Sequence, residues 1–308
     1  MASTLSYGIS AGAAICAGLS IAAAGVLQQR AASRRPSGER LSLQLLRRLV
    51  SDRSWLLGIG LAGLSYGFQA VALTFGPLAL VQPLIVSELL FAIPVSVRLR
   101  KLRLRTRDWL TVGMIVVGLA VGIVAANPQR GHPIQSFWTW LPALAAVAVV
   151  SGGAVLLTRV LQGPPRATAF ALAGAVLMAL QSALYDATIE LLRKEHWGLF
   201  AHWETYALVV VSVLGMFLIQ NAFQAGPLAA STPVIDATLP LLAVALGVWL
   251  FGEHIRTTVL GLGGAALGIV LLVTGIVLLD RSPVVRKEQR IEQKEQEKTA
   301  RQEAGQQA

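Results

Sequence analysis

The sequence predicts an all-α integral membrane protein of about nine transmembrane helices arranged as two inverted repeats. Three observations point there. Of 308 residues, 55% are hydrophobic and 14% are charged, with a mean hydropathy of +0.63. A soluble domain so poor in charge would leave large apolar patches in water, whereas lipid solvates such faces. Apolar runs of roughly 20 residues, enough to cross the hydrocarbon core as helix, recur along the chain. A Gly-Pro motif then repeats 150 residues further on.

The runs lie near 5–28, 55–75, 78–98, 109–126, 138–158, 167–191, 205–224, 228–251 and 257–279. No Lys or Arg precedes the first, so it reads as a retained span and not as a cleavable signal. Gly-Pro alone separates the second run from the third and the seventh from the eighth. Gly closes one helix there, and Pro opens the next where its missing amide is not needed. The lone cysteine, Cys16, lies in an apolar run, so neither an intrachain disulfide nor a cysteine metal cluster is expected.

Charge placement tests the count. Basic residues collect in the first loop (Arg30 to Arg53), the third (Arg98 to Arg107), the fifth (Arg159, Arg166) and the tail after Asp280, which together hold 22 of the 26 Lys and Arg. Only Arg130, Arg193, Lys194 and Arg256 fall on the other side. By the positive-inside rule this predicts a multi-pass protein of the cell membrane, with the amino terminus outside and the carboxyl terminus cytoplasmic. The net charge of +10 is therefore a topology signal, and nucleic acid is not an expected partner. Residues 285–308 are Glu, Gln, Lys and Arg with few apolar side chains, so they read as solvated helix or disorder.

The repeat is the strongest functional signal. Gly76-Pro77-Leu78-Ala79 returns as Gly226-Pro227-Leu228-Ala229. Pro83 matches Pro233, Ile85 matches Ile235, and Gly113 and Gly118 match Gly263 and Gly268. Spans two to four thus correspond to seven to nine. A shift of five spans reverses direction, so the halves are expected to be inverted, as in many alternating-access transporters with a site near midplane. The chain divides into a first repeat (1–137, spans one to four), an unpaired linking span (138–164), a second repeat (165–280, spans six to nine) and a charged tail (281–308). Pro83 and Pro233 should kink their helices and free a carbonyl near Ala79 and Ala229. The glycines of spans four and nine (Gly113, Gly118, Gly263, Gly264, Gly268) should permit close helix packing.

At this motif the chain resembles the drug/metabolite transporter (EamA-like) superfamily, and within it the nine-span branch that includes the NIPA-like magnesium transporters. The likeness rests on Tyr7-Gly8, on the run from Ala72 to Leu84 through Phe75-Gly76-Pro77 and Gln82-Pro83, and on Gln220-Asn221-Ala222-Phe223 with Gly226-Pro227 and Thr232-Pro233. It covers most of residues 5–280. The resemblance implies a secondary transporter without cofactors. The family's acid at the end of the third span is missing from Arg98-Leu99-Arg100-Lys101 but survives in the second half as Glu253.

Ionisable groups inside a bilayer are costly and are functional candidates by default. Glu88 and Asp236 lie about 13–16 Å along their helices at 1.5 Å per residue, near midplane. They could form a proton or cation site, and they are the metal candidates if a cation is carried. Asp186, with Ser182 and Glu190 at i, i+4 and i+8, forms a stripe nearer the outer side, flanked by Gln181 and Tyr185. Gln69, Gln82, Gln220, Asn221, Gln224 and Thr232 complete the expected polar lining. Interhelical hydrogen bonding explains such groups equally well.

The expected function is transport of a small molecule or ion by alternating access, with proton coupling a further expectation. A magnesium or other divalent-cation transporter is the first alternative. A non-transporting scaffold acting through the tail is the second. No Walker loop or His-Glu-x-x-His motif is present, and an enzyme is not expected. The partners expected are the bilayer and the substrate, with a second copy of the chain also a candidate.

Overall fold

The computed structural model describes residues 2–33, 53–88, 90–91, 106–226, 228–280 and 282–283. Nearly all of these residues are helical. The helices are α1 (Ala2–Ser33), α2 (Arg53–Phe75), α3 (Leu78–Ile85), α4 (Thr106–Ala126), α5 (Phe137–Leu157), α6 (Pro164–Glu195), α7 (Trp203–Ala225), α8 (Leu228–Leu250) and α9 (Val259–Asp280). Strand pairing among the described residues is limited to one isolated bridge between Gln129 and His254. All but α3 are long and apolar enough to cross a membrane. The chain is a multi-pass helical membrane protein, and its outer faces fit that setting. Leu110, Val124, Val149, Val213 and Leu260 stand exposed with no polar cover, surface that lipid would solvate.

The expected hairpin at Gly76-Pro77 is present. Pro77 is extended (φ −74°, ψ 154°) and caps α3. The third span differs from expectation. Pro83 was expected to kink a continuous helix, but α3 stops at Ile85, a turn follows at Val86-Ser87, and helix resumes at Glu88. A proline supplies no amide to the preceding turn, and the ladder fails within one turn of it. Residues 92–98 of that span lie outside the described residues. In α8, by contrast, Pro233 and a second proline, Pro240, sit inside a helix that runs unbroken.

Helix ends are sorted to two faces. Arg53, Arg107, Arg159 and Arg166 lie at the starts of α2 and α4, the end of α5 and the start of α6, all on one face. Arg130, Arg193, Lys194 and Arg256 belong to the opposite one. At the first face the Ser282 hydroxyl donates to Asp108 Oδ1 at 2.5 Å, joining the end of α9 to the start of α4. At the second, Tyr7 Oη near the start of α1 donates to Gln129 Oε1 at 3.2 Å. The basic stretches at 34–52 and 92–105 and the tail from 284 lie outside the described residues.

Two apolar clusters hold the bundle. The larger joins α1, α2, α3, α4, α5, α6 and α8 around Leu73, Leu78, Leu184 and Trp140. The smaller lies between α4 and α9, around Ile115, Leu272 and Ile276. The α4–α9 contact is very close at its glycines. A Cβ on Gly118 would stand 2.6 Å from the Leu272 amide nitrogen, and one on Gly268 would stand 2.5 Å from the Gly122 nitrogen and 2.7 Å from the Gly118 carbonyl. Only glycine allows backbones to meet there. Gly113 and Gly263, also expected to pack, have nothing within 4 Å of a built Cβ.

Candidate functional site

At the second face, two loops and three helix ends form a charged mouth. The loop after α4 and the loop after α8 are zipped together. Gln129 and His254 exchange backbone bonds of 2.8 and 3.2 Å, and His132 N donates to Phe251 O at 2.8 Å. From the α8–α9 loop, Glu253 reaches the start of α3. Its Oε1 accepts from the Leu78 amide at 2.6 Å and its Oε2 from the Ala79 amide at 2.9 Å. A helix N-terminus leaves such amides without helical partners and carries partial positive charge, so a carboxylate is the matching cap. Gly247 leaves no room for a side chain of its own beside that carboxylate. Burial pushes the Glu253 carboxyl up to about 7, against the opposing pull of the Ala79 and Leu78 amides and of Arg130.

Arg130 ties the other loop to α6. Its Nη2 donates to Glu190 Oε2 at 3.1 Å and lies 3.9 Å from Asp186 Oδ1, while its Nη1 donates to the Thr74 carbonyl at the end of α2. Glu190 also receives Arg193 (2.6 Å) and Lys194 (3.3 Å) from its own helix. Asp186 is 1% exposed. Its Oδ1 has no hydrogen-bond partner among the described residues, since 3.9 Å is an ion-pair distance and not a hydrogen bond.

Asp186 and Glu190 of the polar stripe expected on α6 thus meet one loop arginine, while the Ser182 hydroxyl donates to the Met178 carbonyl of its own helix at 3.1 Å. The Tyr185 hydroxyl donates to the Tyr66 carbonyl at 2.8 Å, and its ring meets Tyr66 edge-on. Gln69, Gln82 and Gln181 are buried on α2, α3 and α6, and Gln82 Nε2 has no hydrogen-bond partner among the described residues. Asn221 donates to the Phe217 carbonyl of its own helix at 2.7 Å, and Gln220 is exposed. The Gln224 side chain lies outside the described residues. Glu88 is half-buried just past the α3 break, with its backbone against Gly18 of α1. Asp236 and Thr232 are half-buried on α8. Neither Glu88 nor Asp236 belongs to the charged mouth as described.

Beneath the mouth lies a cavity of about 460 Å³ between the α4–α9 pair and helices α3 and α8. Ala79, Pro83, Gly118, Pro240, Val244 and Ile269 are among its walls, and no wall residue is charged. Pro128 and Ile255, each two residues from Arg130 or Glu253, help to close it at the mouth.

No family model matches the chain, and no solved structure matches it. Over 261 residues it is 31% identical to an uncharacterized protein of Corynebacterium glutamicum, an alignment spanning 84% of this chain and 90% of that one. The chain belongs to that protein's family. An alignment covering most of both chains relates the helical unit as a whole, not one shared segment.

The mouth contains two residues that the sequence did not single out as site candidates. Arg130 was read only as a minority basic residue of an outer loop. Glu253 was noted for the resemblance alone. The arrangement can hold the two loops, α3 and α6 closed against one another by ionic and capping bonds, each of which depends on the charge of a single side chain.

Proposed function

We propose that this chain is a secondary transporter of the drug/metabolite transporter type, built from two inverted repeats and moving a small solute across the cell membrane by alternating access. The observation that carries the reading is that residues related by the 150-residue offset, Gly118 and Gly268, pack against one another across α4 and α9. Equivalent residues meet where a twofold axis passes between two inverted halves. One further likeness supports it: Ser10 of α1 packs on Gly76, which ends α2, and Ala167 of α6 packs on Gly226, which ends α7.

In this reading the charged mouth is a closed gate facing outward. Opening it breaks the Glu253 cap on α3 and the Arg130 links to Thr74 and Glu190 and exposes the cavity between the halves to the outside, while the opposite end of the cavity closes. Glu88 and Asp236, at middle depth on α3's continuation and on α8, are the proposed proton-coupling pair. The reading takes a small molecule as cargo, with magnesium as the alternative that the test below separates from it.

The test is solute uptake by the full-length protein in proteoliposomes carrying an entrapped pH dye. A panel of labelled small molecules is supplied outside, with Mg²⁺ and a Mg²⁺-sensitive dye as a separate arm. Uptake of one solute with coupled proton movement, lost in Glu88→Gln and Asp236→Asn, is expected. Full activity in both variants would remove these carboxyls from the coupling.

A further inference from the structure

The cavity between the halves has a wall chemistry that bears on what it holds. Its volume is about 460 Å³, far beyond the voids that close packing leaves and within the range of small-molecule pockets. Its walls are Ala, Gly, Val, Leu, Ile and Pro throughout, drawn from α3, α4, α8, α9 and the two mouth loops. Hard cations need several oxygen ligands, and an isolated charge in such surroundings would be left without a partner. One proline of the wall, Pro83, withholds the amide that would otherwise bond the carbonyl of Ala79, itself a wall residue. Polar anchoring there is therefore limited to backbone acceptors. Both sides mix small and branched residues: Gly118 and Gly268 stand with Leu119 and Ile269 on the α4–α9 side, and Ala245 stands with Val244 on α8.

We propose that this cavity is the cargo site and that its cargo is an uncharged, largely apolar organic molecule carrying at most a hydrogen-bond donor. The proposal rests on the transporter reading for the word cargo and on the cavity alone for the ligand class. Access is coupled to the mouth through Ala79, a wall residue whose amide is held by Glu253.

The experiment uses the full-length protein in nanodiscs and N-phenyl-1-naphthylamine, a neutral aromatic amine, as fluorescent probe, with protein-free nanodiscs subtracted. Saturable binding is expected, unaffected by millimolar MgCl₂. Ala245→Trp and, from the facing wall, Ile269→Trp each fill the cavity and should weaken binding at least tenfold while leaving the melting temperature within a few degrees. Binding that is equal in both tryptophan variants places the probe in lipid and overturns the site. Displacement by MgCl₂, or by a lipid that co-purifies in the cavity, overturns the ligand class. If the tryptophan variants lose binding but no solute enters proteoliposomes, the site stands and the transporter reading falls. If a solute is carried while binding ignores both substitutions, the transporter stands and this site falls.

Discussion

Replacing Glu253 with alanine removes both acceptors from the first turn of α3 in a single step. The Leu78 and Ala79 amides lie in buried surroundings, and their bonds of 2.6 and 2.9 Å to the carboxylate have no helical substitute. A buried donor left unsatisfied costs about 1–3 kcal/mol, and loss of the charge at the helix N-terminus adds roughly 0.3–1 kcal/mol. Relief of the burial of the carboxylate itself offsets part of this. The net expectation is a loss of about 2–4 kcal/mol for Glu253→Ala and roughly half of that for Glu253→Gln, which keeps one acceptor. Thermal unfolding read by tryptophan fluorescence suits the purpose. Trp140 packs edge-on against Phe251 at 5.8 Å and against Trp203 at 5.5 Å, beside the loop in question.

The pH dependence adds a second readout with a definite sign. The folded-state value is pushed up to about 7 from an ordinary 4.5. Between those two values the folded protein holds a proton on Glu253 that the unfolded chain has released. The group's contribution is therefore complete below about 4.5 and is lost as pH rises through about 7. The stability of wild type relative to Glu253→Gln should fall across that window, because glutamine does not titrate. An alanine variant that melts like wild type would refute the capping role, and a glutamine variant with the pH slope of wild type would refute the burial that raises the carboxyl.

Arg130→Ala should cost about 2–4 kcal/mol, since Asp186 stays buried and loses its nearest guanidinium. Arg130→Ala and Glu190→Gln should combine non-additively in a double-mutant cycle by thermal unfolding, and strict additivity would deny their coupling. Gly268→Val drives a side chain into the Gly122 backbone and should cost at least ~3 kcal/mol or abolish monodisperse protein on size exclusion. Gly263→Val, one turn away with open space around it, should be near neutral in the same assay.

The helices could be read from sequence because each span carries its own hydropathic signal, and the Gly76-Pro77 hairpin because its chemistry is local. The α6 stripe of Ser182, Asp186 and Glu190 was visible as an i, i+4 pattern. What escaped notice depends on distance along the chain. Glu253 finds the α3 amides 174 and 175 residues away, and Arg130 finds Glu190 across 60. Neither has a local pattern. Pro240 was hidden by the repeat itself, since its counterpart at the 150-residue offset is Leu90. The same proline spacing breaks α3 and leaves α8 intact, so tertiary surroundings decide what Pro83 and Pro233 do. Gly113 and Gly263 repeat as faithfully as Gly118 and Gly268 but do not pack, because only one face of each helix meets its partner.

Alternating access is tested most directly by locking the mouth. Gln129 and His254 exchange both backbone bonds, a pairing that sets Cα atoms about 5.5 Å apart, inside the roughly 4.4–6.8 Å that a disulfide spans. In a Cys16→Ser background, Gln129→Cys and His254→Cys are combined with Ala245→Cys in the cavity wall, and labelling of Cys at 245 by an impermeant thiol reagent is followed by mass. Alternating access predicts labelling from either side of the membrane when the pair is reduced. It predicts labelling from one side only when the pair is oxidised, with reductant restoring both. Labelling confined to one side throughout, or from both sides regardless of the lock, would contradict it.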